Sequence, residues 1–191
     1  MANAHMQRLV LWAPAAEVTV DTVAAAIAAG DVAAAVLPGT NAGHEAVALC
    51  QREGVAAFVT DEPVAGADGL HAAGEFAARR TAVKASKAGA VGAEAATKHE
   101  AMELGEAGAA YIWFGAPDVA DEASRALATW WTALFEVPAV VAGAATLGDI
   151  DALVGSGAEF VALGPALLTG PDGAREAVLY AGAAIAARVA A

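Results

Sequence analysis

Thr60 and Asp61 close an apolar run that begins at Val55, and His71 sits inside the next run, Gly69–Ala73. Glu75 follows almost at once, and Glu94 closes a later run, Ala88–Glu94. Carboxylates and imidazole are the side chains that hold hard cations or move protons near neutral pH. Each also has a plain structural use. An acid at a strand end caps the next turn, one oxygen ligand alone does not define a metal site, and a lone histidine in an apolar strand packs more often than it reacts. Trp113 and the pair Trp130-Trp131 could offer stacking surfaces, although the layer between helices and strands of a barrel absorbs such residues as core.

The elements that would position these residues alternate regularly. Apolar runs at 8–13, 32–38, 55–61, 69–73, 88–94, 109–115, 139–144 and 159–165 read as eight strands, continuous rather than alternating, as strands covered on both faces are. Helical patterns fall at 20–29, 43–53, 98–107, 122–135, 147–156 and 173–189. Thr97 and Glu100 have the spacing of a capping box, and Gly30, Gly54, Gly108 and Gly157 stand where left-handed helix stops belong. Residues 60–66 and those after Glu75 look too short for full helices, so the third and fourth crossovers read as trimmed. Eight strand–helix repeats point to a compact (β/α)8 barrel forming a single domain over residues 1–191, although about 250 residues is the typical size. A doubly wound sheet is the structural alternative.

Composition narrows the partners. The chain has 191 residues, 58% of them hydrophobic, which excludes disorder. Its 22 acids against 10 bases give a net charge of −12, which repels nucleic acid and anionic membranes. A single cysteine, Cys50, rules out an intramolecular disulfide or a multi-thiolate metal site and reads as a core thiol. No apolar run approaches the length of a membrane span, and "MANAHMQR" has no secretory pattern, so a cytoplasmic location is the default.

The stretch "VTDEPVAGADGLH" resembles the thiamine phosphate synthase family and its TenI-type relatives, which carry Asn-Asp after strand 3 and Ala-Asp-Gly-Val-His on strand 4. "VGAEAATKHEAMELGEAGAAYIWFG" and "VPAVVAGAATLGDIDALVGSGAEFVAL" match later family segments in order and spacing. The resemblance runs from about Gly54 to Leu168 and implies a barrel with its active mouth at the C-terminal strand ends. The family reaction joins a pyrimidine pyrophosphate to a thiazole phosphate and releases pyrophosphate, which calls for magnesium and cationic side chains.

Carried over residue by residue, the resemblance implies a magnesium contact at Asp61, with Thr60 in place of asparagine. It places His71, and Glu94 in the position of a serine, at the mouth. It implies a phosphate cradle at Gly143, Ala144 and Gly164, beside Pro165, which has no amide hydrogen. The family's second acid falls on Phe76, next to Glu75. Its strand-2 bases fall on "VLPGTN", and its strand-6 lysine falls within "GAPDVADEAS", where Asp118, Asp121 and Glu122 stand instead. Arg125 belongs to the following helix, Lys84 and Lys87 to the opposite end, and only Lys98 and Arg175 begin helices on the mouth side. The TenI histidine position is Ala116, and His99 is a poor substitute for it. Synthesis of thiamine phosphate is therefore expected to be impaired. The competing expectation is a non-catalytic ligand-binding or regulatory protein on the same barrel. A small phosphorylated ligand, magnesium if the chain is active, and self-association complete the expectations.

Overall fold

The computed structural model describes residues 7–86 and 89–190. Eight parallel strands close into a barrel in chain order: β1 (Arg8–Trp12), β2 (Val32–Leu37), β3 (Ala56–Val59), β4 (Gly69–Ala72), β5 (Ala90–Glu94), β6 (Ile112–Phe114), β7 (Ala139–Val141) and β8 (Phe160–Leu163). β1 pairs with both β2 and β8, so the sheet has no free edge. The described helices are α1 (Val20–Ala29), α2 (Asn41–Glu53), α3 (Phe76–Ala85), α4 (Lys98–Ala107), α5 (Glu122–Thr132), α6 (Leu147–Gly155) and α7 (Gly170–Val189).

The connection from β3 to β4 crosses without a helix, as its length predicts. The next crossover corrects the sequence reading: Phe76–Ala85 forms a ten-residue helix. Its apolar signal is weak because Arg79 takes an inward position beside Val83, and both are buried. Gly54 and Gly108 are left-handed helix stops, whereas Gly30 is extended and needs no such freedom. Residues 1–6, Lys87, Ala191 and Ala88, the first residue of the predicted fifth strand, lie outside the described residues.

Two apolar layers follow from the strand alternation. Outward residues such as Leu11, Leu37, Ile112 and Leu163 pack under the helices in a large core. Inward residues Val10, Val36, Tyr111, Trp113, Val140 and Ala162 fill the barrel, with Trp12 and Phe58 against them. Trp113 thus corrects the expectation that the helix–strand layer would absorb it, since it is a barrel-interior residue. Trp131 fits that expectation: it is buried under α5, and its indole N–H donates to the Val137 carbonyl at 2.7 Å. Cys50 is buried, and desolvation raises its thiol pKa to about 11.

Two acids near strand starts tie neighbouring segments together. Asp68 accepts from the Ala57 amide at 2.8 Å, and Glu159 accepts from the Ala139 amide at 2.8 Å. Among the described residues, no helix is long and apolar enough to cross a membrane.

Candidate active site

The mouth at the C-terminal strand ends is built from the barrel interior upward. His71 of β4 lies in register with Gly92 of β5, and Glu94 lies in register with Trp113 of β6. These pairings stack imidazole, carboxylate and indole at neighbouring heights. His71 is 3% exposed, with its ring 5.0 Å from Trp12 and 5.2 Å from Trp113 between centroids. Its Nδ1 lies 2.7 Å from the Tyr111 hydroxyl. Its Nε2 has no hydrogen-bond partner among the described residues and faces the Glu94 carboxylate at 3.5 Å.

Electrostatics keep the proton on Tyr111. Burial, and secondarily the Glu94 charge, push the Tyr111 hydroxyl far above its ordinary range, so it remains a donor. The tautomer that presents Nε2–H to Glu94 leaves Nδ1 to accept from Tyr111. The result is a chain of three groups, Tyr111, His71 and Glu94, hydrogen-bonded only between the first two, that begins inside the barrel and ends on a partly exposed carboxylate.

Two cavities open over this chain. One, of about 460 Å³, is lined by Glu94, Trp113, Arg79, Asp121 and Ser124 among others. The second, of about 370 Å³, is lined by Thr60, Asp61, His71 and, again, Gly74 and Arg79. The sequence-predicted residues Thr60, Asp61, His71 and Glu94 therefore do gather along the β3–β6 arc. Asp61 adopts φ 60, a left-handed conformation that few non-glycine residues take. Among the described residues, no three His, Cys, Asp or Glu side chains group so as to hold a metal ion. Magnesium prefers near-octahedral oxygen coordination, and Asp61 alone does not fit it as a protein-held ion.

Arg79 is the mouth base that sequence reasoning missed. It is 7% exposed, donates to the Glu94 carbonyl, and lies 3.3 Å from the Glu100 carboxylate of α4. Its guanidinium also lies 5.7 Å over the Phe76 ring, which stands where the resemblance called for an acid. The signal that could have found Arg79 was its place on the Phe76–Val83 face, had a helix been read there. The two bases that were expected at the mouth turn elsewhere. Lys98 sits 4.7 Å over Trp130, and Arg175 pairs with Asp172 at 2.8 Å.

The β6–β8 arc is built differently. The Gly143 and Gly164 turns are buried, and the loop after β6 lies across both. A Cβ on Gly143 would stand 2.6 Å from the Val119 carbonyl oxygen, at φ 124. One on Gly164 would run into the Asp118 carboxylate and stand 2.9 Å from the Pro117 carbonyl oxygen. Asp118 also accepts from the Ala166 amide at 3.2 Å. Asp149 accepts from the Ala145 and Thr146 amides at 3.2 and 2.9 Å. Asp121 accepts from the Ala123 and Ser124 amides at 3.0 Å each. Hydrogen bonds, led by the Ser124 hydroxyl for Asp121 and the Thr146 hydroxyl for Asp149, hold both carboxyls below their ordinary range.

The chain's similarity to known proteins places its lineage. Residues 16–167 match the sequence profile of the family described as thiamine monophosphate synthase. The chain belongs to the thiamine monophosphate synthase family. A thiamine-phosphate synthase of Rhodospirillum centenum is 34% identical over 177 residues, covering 82% of this chain and 86% of that protein. Another, from Erythrobacter litoralis, is 32% identical over 140 residues, covering 65% of each. Among solved structures, the thiamine phosphate pyrophosphorylase of Pyrococcus furiosus superposes with a TM-score of 0.77 at 19% identity. That match covers 96% of this chain and 98% of the other. A 3-hexulose-6-phosphate synthase shares the fold with a TM-score of 0.64 at 19% identity, covering 93% and 99%. Within the thiamine monophosphate synthase family, this chain keeps the barrel while carrying an acidic loop over the seventh and eighth strand ends.

Proposed function

We propose that this chain acts in thiamine metabolism by binding a phosphorylated thiamine precursor at the barrel mouth, and that it joins two such precursors only slowly. The observation that carries the reading is the pair of adjoining cavities over Thr60, Asp61, His71, Glu94 and Trp113 on a barrel of this family. The heterocycle packs against the Trp113 side of the open arc. The phosphate lies toward the backbone turns at Gly143, Ala144 and Gly164. Glu94, held beside His71, is the acceptor that orients a donor group on the heterocycle.

The slow rate follows from charge. Pyrophosphate departure is assisted by donors that meet the developing negative charge, and losing one such donor typically costs ~10²–10³ in rate. Arg79, the buried base of this mouth, is already engaged by Glu100 and the Glu94 carbonyl. Magnesium, if it takes part, would supply charge neutralisation to the leaving group. Asp61 is the side chain proposed to touch it, together with substrate oxygens rather than as part of a resident site.

The test mixes purified protein, both phosphorylated precursors and magnesium, and follows thiamine phosphate by fluorescence. Calorimetry measures each precursor separately. The expected result is measurable binding of the thiazole phosphate, with turnover at least about 100-fold below that of a family member with a basic mouth. Turnover equal to such a member would refute the rate claim. Absence of binding by either precursor would refute the ligand assignment.

A further inference from the structure

We propose that Asp118 is a built-in competitor for the phosphate position, so that the loop 116–120 holds the β7–β8 side of the mouth closed until an anion displaces it. The inference rests on the reading that the strand-7 and strand-8 turns receive a phosphate.

Three observations converge on the loop. The Asp118 carboxylate accepts from the Ala166 amide at 3.2 Å, which fills a backbone donor just beyond β8 with the chain's own anion. Pro117 and Asp118 lie directly on Gly164, and Val119 lies on Gly143, so neither turn has room for a further side-chain atom, let alone a phosphate. Both glycines are buried beneath a loop whose own Val119 and Ala120 are exposed. A carboxylate and a phosphate oxygen satisfy the same amide in the same way, as negatively charged acceptors. Occupation by one therefore excludes the other.

The loop is bounded by elements that let it lift as a unit. Gly115 stands at φ 93 on one side, and Asp121 caps α5 independently on the other. Displacement of Asp118 breaks the Ala166 contact while leaving the α5 cap intact. Binding to a site that is open only part of the time weakens by the fraction open. Removing the competitor should therefore tighten phosphate binding without adding any contact to the ligand.

The experiment titrates inorganic phosphate into wild type, Asp118→Ala, Asp118→Asn and Glu122→Gln by calorimetry at fixed ionic strength, and reads amide exchange at Ala166. Glu122→Gln is the charge control, because Glu122 is exposed and lies outside the contact. Asp118→Ala is expected to bind phosphate about tenfold or more tighter than wild type, with Asp118→Asn intermediate and Glu122→Gln unchanged. Ala166 should exchange faster in the Asp118→Ala protein without ligand and regain protection with phosphate. Equal binding by wild type and Asp118→Ala would overturn the competitor while leaving the phosphate reading in place. Equal tightening by Glu122→Gln would reduce the effect to net charge and also overturn it. Faster Ala166 exchange without phosphate binding in any variant would overturn both, locating the error in the phosphate reading rather than in the contact.

Discussion

The two arcs of the mouth answer the same problem, how to finish a strand end near solvent, in opposite ways. Along β3–β6 the polar groups are left incompletely paired among the described residues: His71 Nε2 has no hydrogen-bond partner there, the Glu94 carboxylate faces that imidazole at 3.5 Å, and cavities of about 460 and 370 Å³ open above them. Along β6–β8 the nearby amides are met by the chain's own acids, Asp118, Asp121 and Asp149, and the glycine turns are buried. Buried polar groups are normally paired because leaving one unpaired is costly. The arc that tolerates that cost is the candidate for chemistry, and the arc that avoids it is the candidate for control.

The largest expected effect falls beneath the open arc. Trp113→Ala removes a side chain that is 1% exposed and touches both Trp12 and His71, and should cost about 3–5 kcal/mol in denaturant unfolding. A loss below about 1 kcal/mol would mean that the interior repacks and that the cavity is not shaped by this ring. Next, Tyr111→Phe strips the partner from His71 Nδ1 and should cost about 1–3 kcal/mol. A neutral result would show that water reaches the imidazole and that the chain from Tyr111 to Glu94 does not hold. On the covered arc, Gly164→Ala places a methyl against Asp118 and Pro117 and should cost about 1–3 kcal/mol unless the loop lifts. Retention of stability together with faster Ala166 exchange would show the loop moving instead.

The smallest effect is pH dependence on the covered arc. The Asp149 carboxyl is held below its ordinary value of 3.8 by the Thr146 hydroxyl and amide. A depressed native pKa adds stability above the unfolded value, and that stability is lost as pH falls through the native one. Urea unfolding between about pH 2 and 5 should therefore decline more steeply for wild type than for Asp149→Asn. Parallel profiles would show that the cap does not form in solution.

Much of the barrel was legible because its signals are local. Continuous apolar runs gave all eight strands, and the helix-free β3–β4 crossover followed from chain length alone. The helix at Phe76–Ala85 was not legible, because Arg79 and Arg80 interrupt its apolar face. Arg79 was overlooked for the same reason. At the site, the grouping of Thr60, Asp61, His71 and Glu94 followed from the family resemblance carried over residue by residue. The Tyr111 contact could not, since it depends on which face of β6 turns inward. The closing role of the "GAPDVADEAS" loop was equally hidden: its acidity is visible in the sequence, but its seat on Gly143 and Gly164 is a tertiary fact.

The central claim is that a phosphorylated thiamine precursor enters through the β3–β6 arc and reaches the turns beneath the loop. Amide chemical-shift mapping with the thiazole phosphate tests it most directly. The account predicts shifts at Gly74, Glu94 and Gly115, extending to Gly143, Gly164 and Ala166 as the loop is displaced. Shifts confined to the opposite end of the barrel, around Ala34, Ala56 and Ala110, or none at saturating ligand, would contradict it.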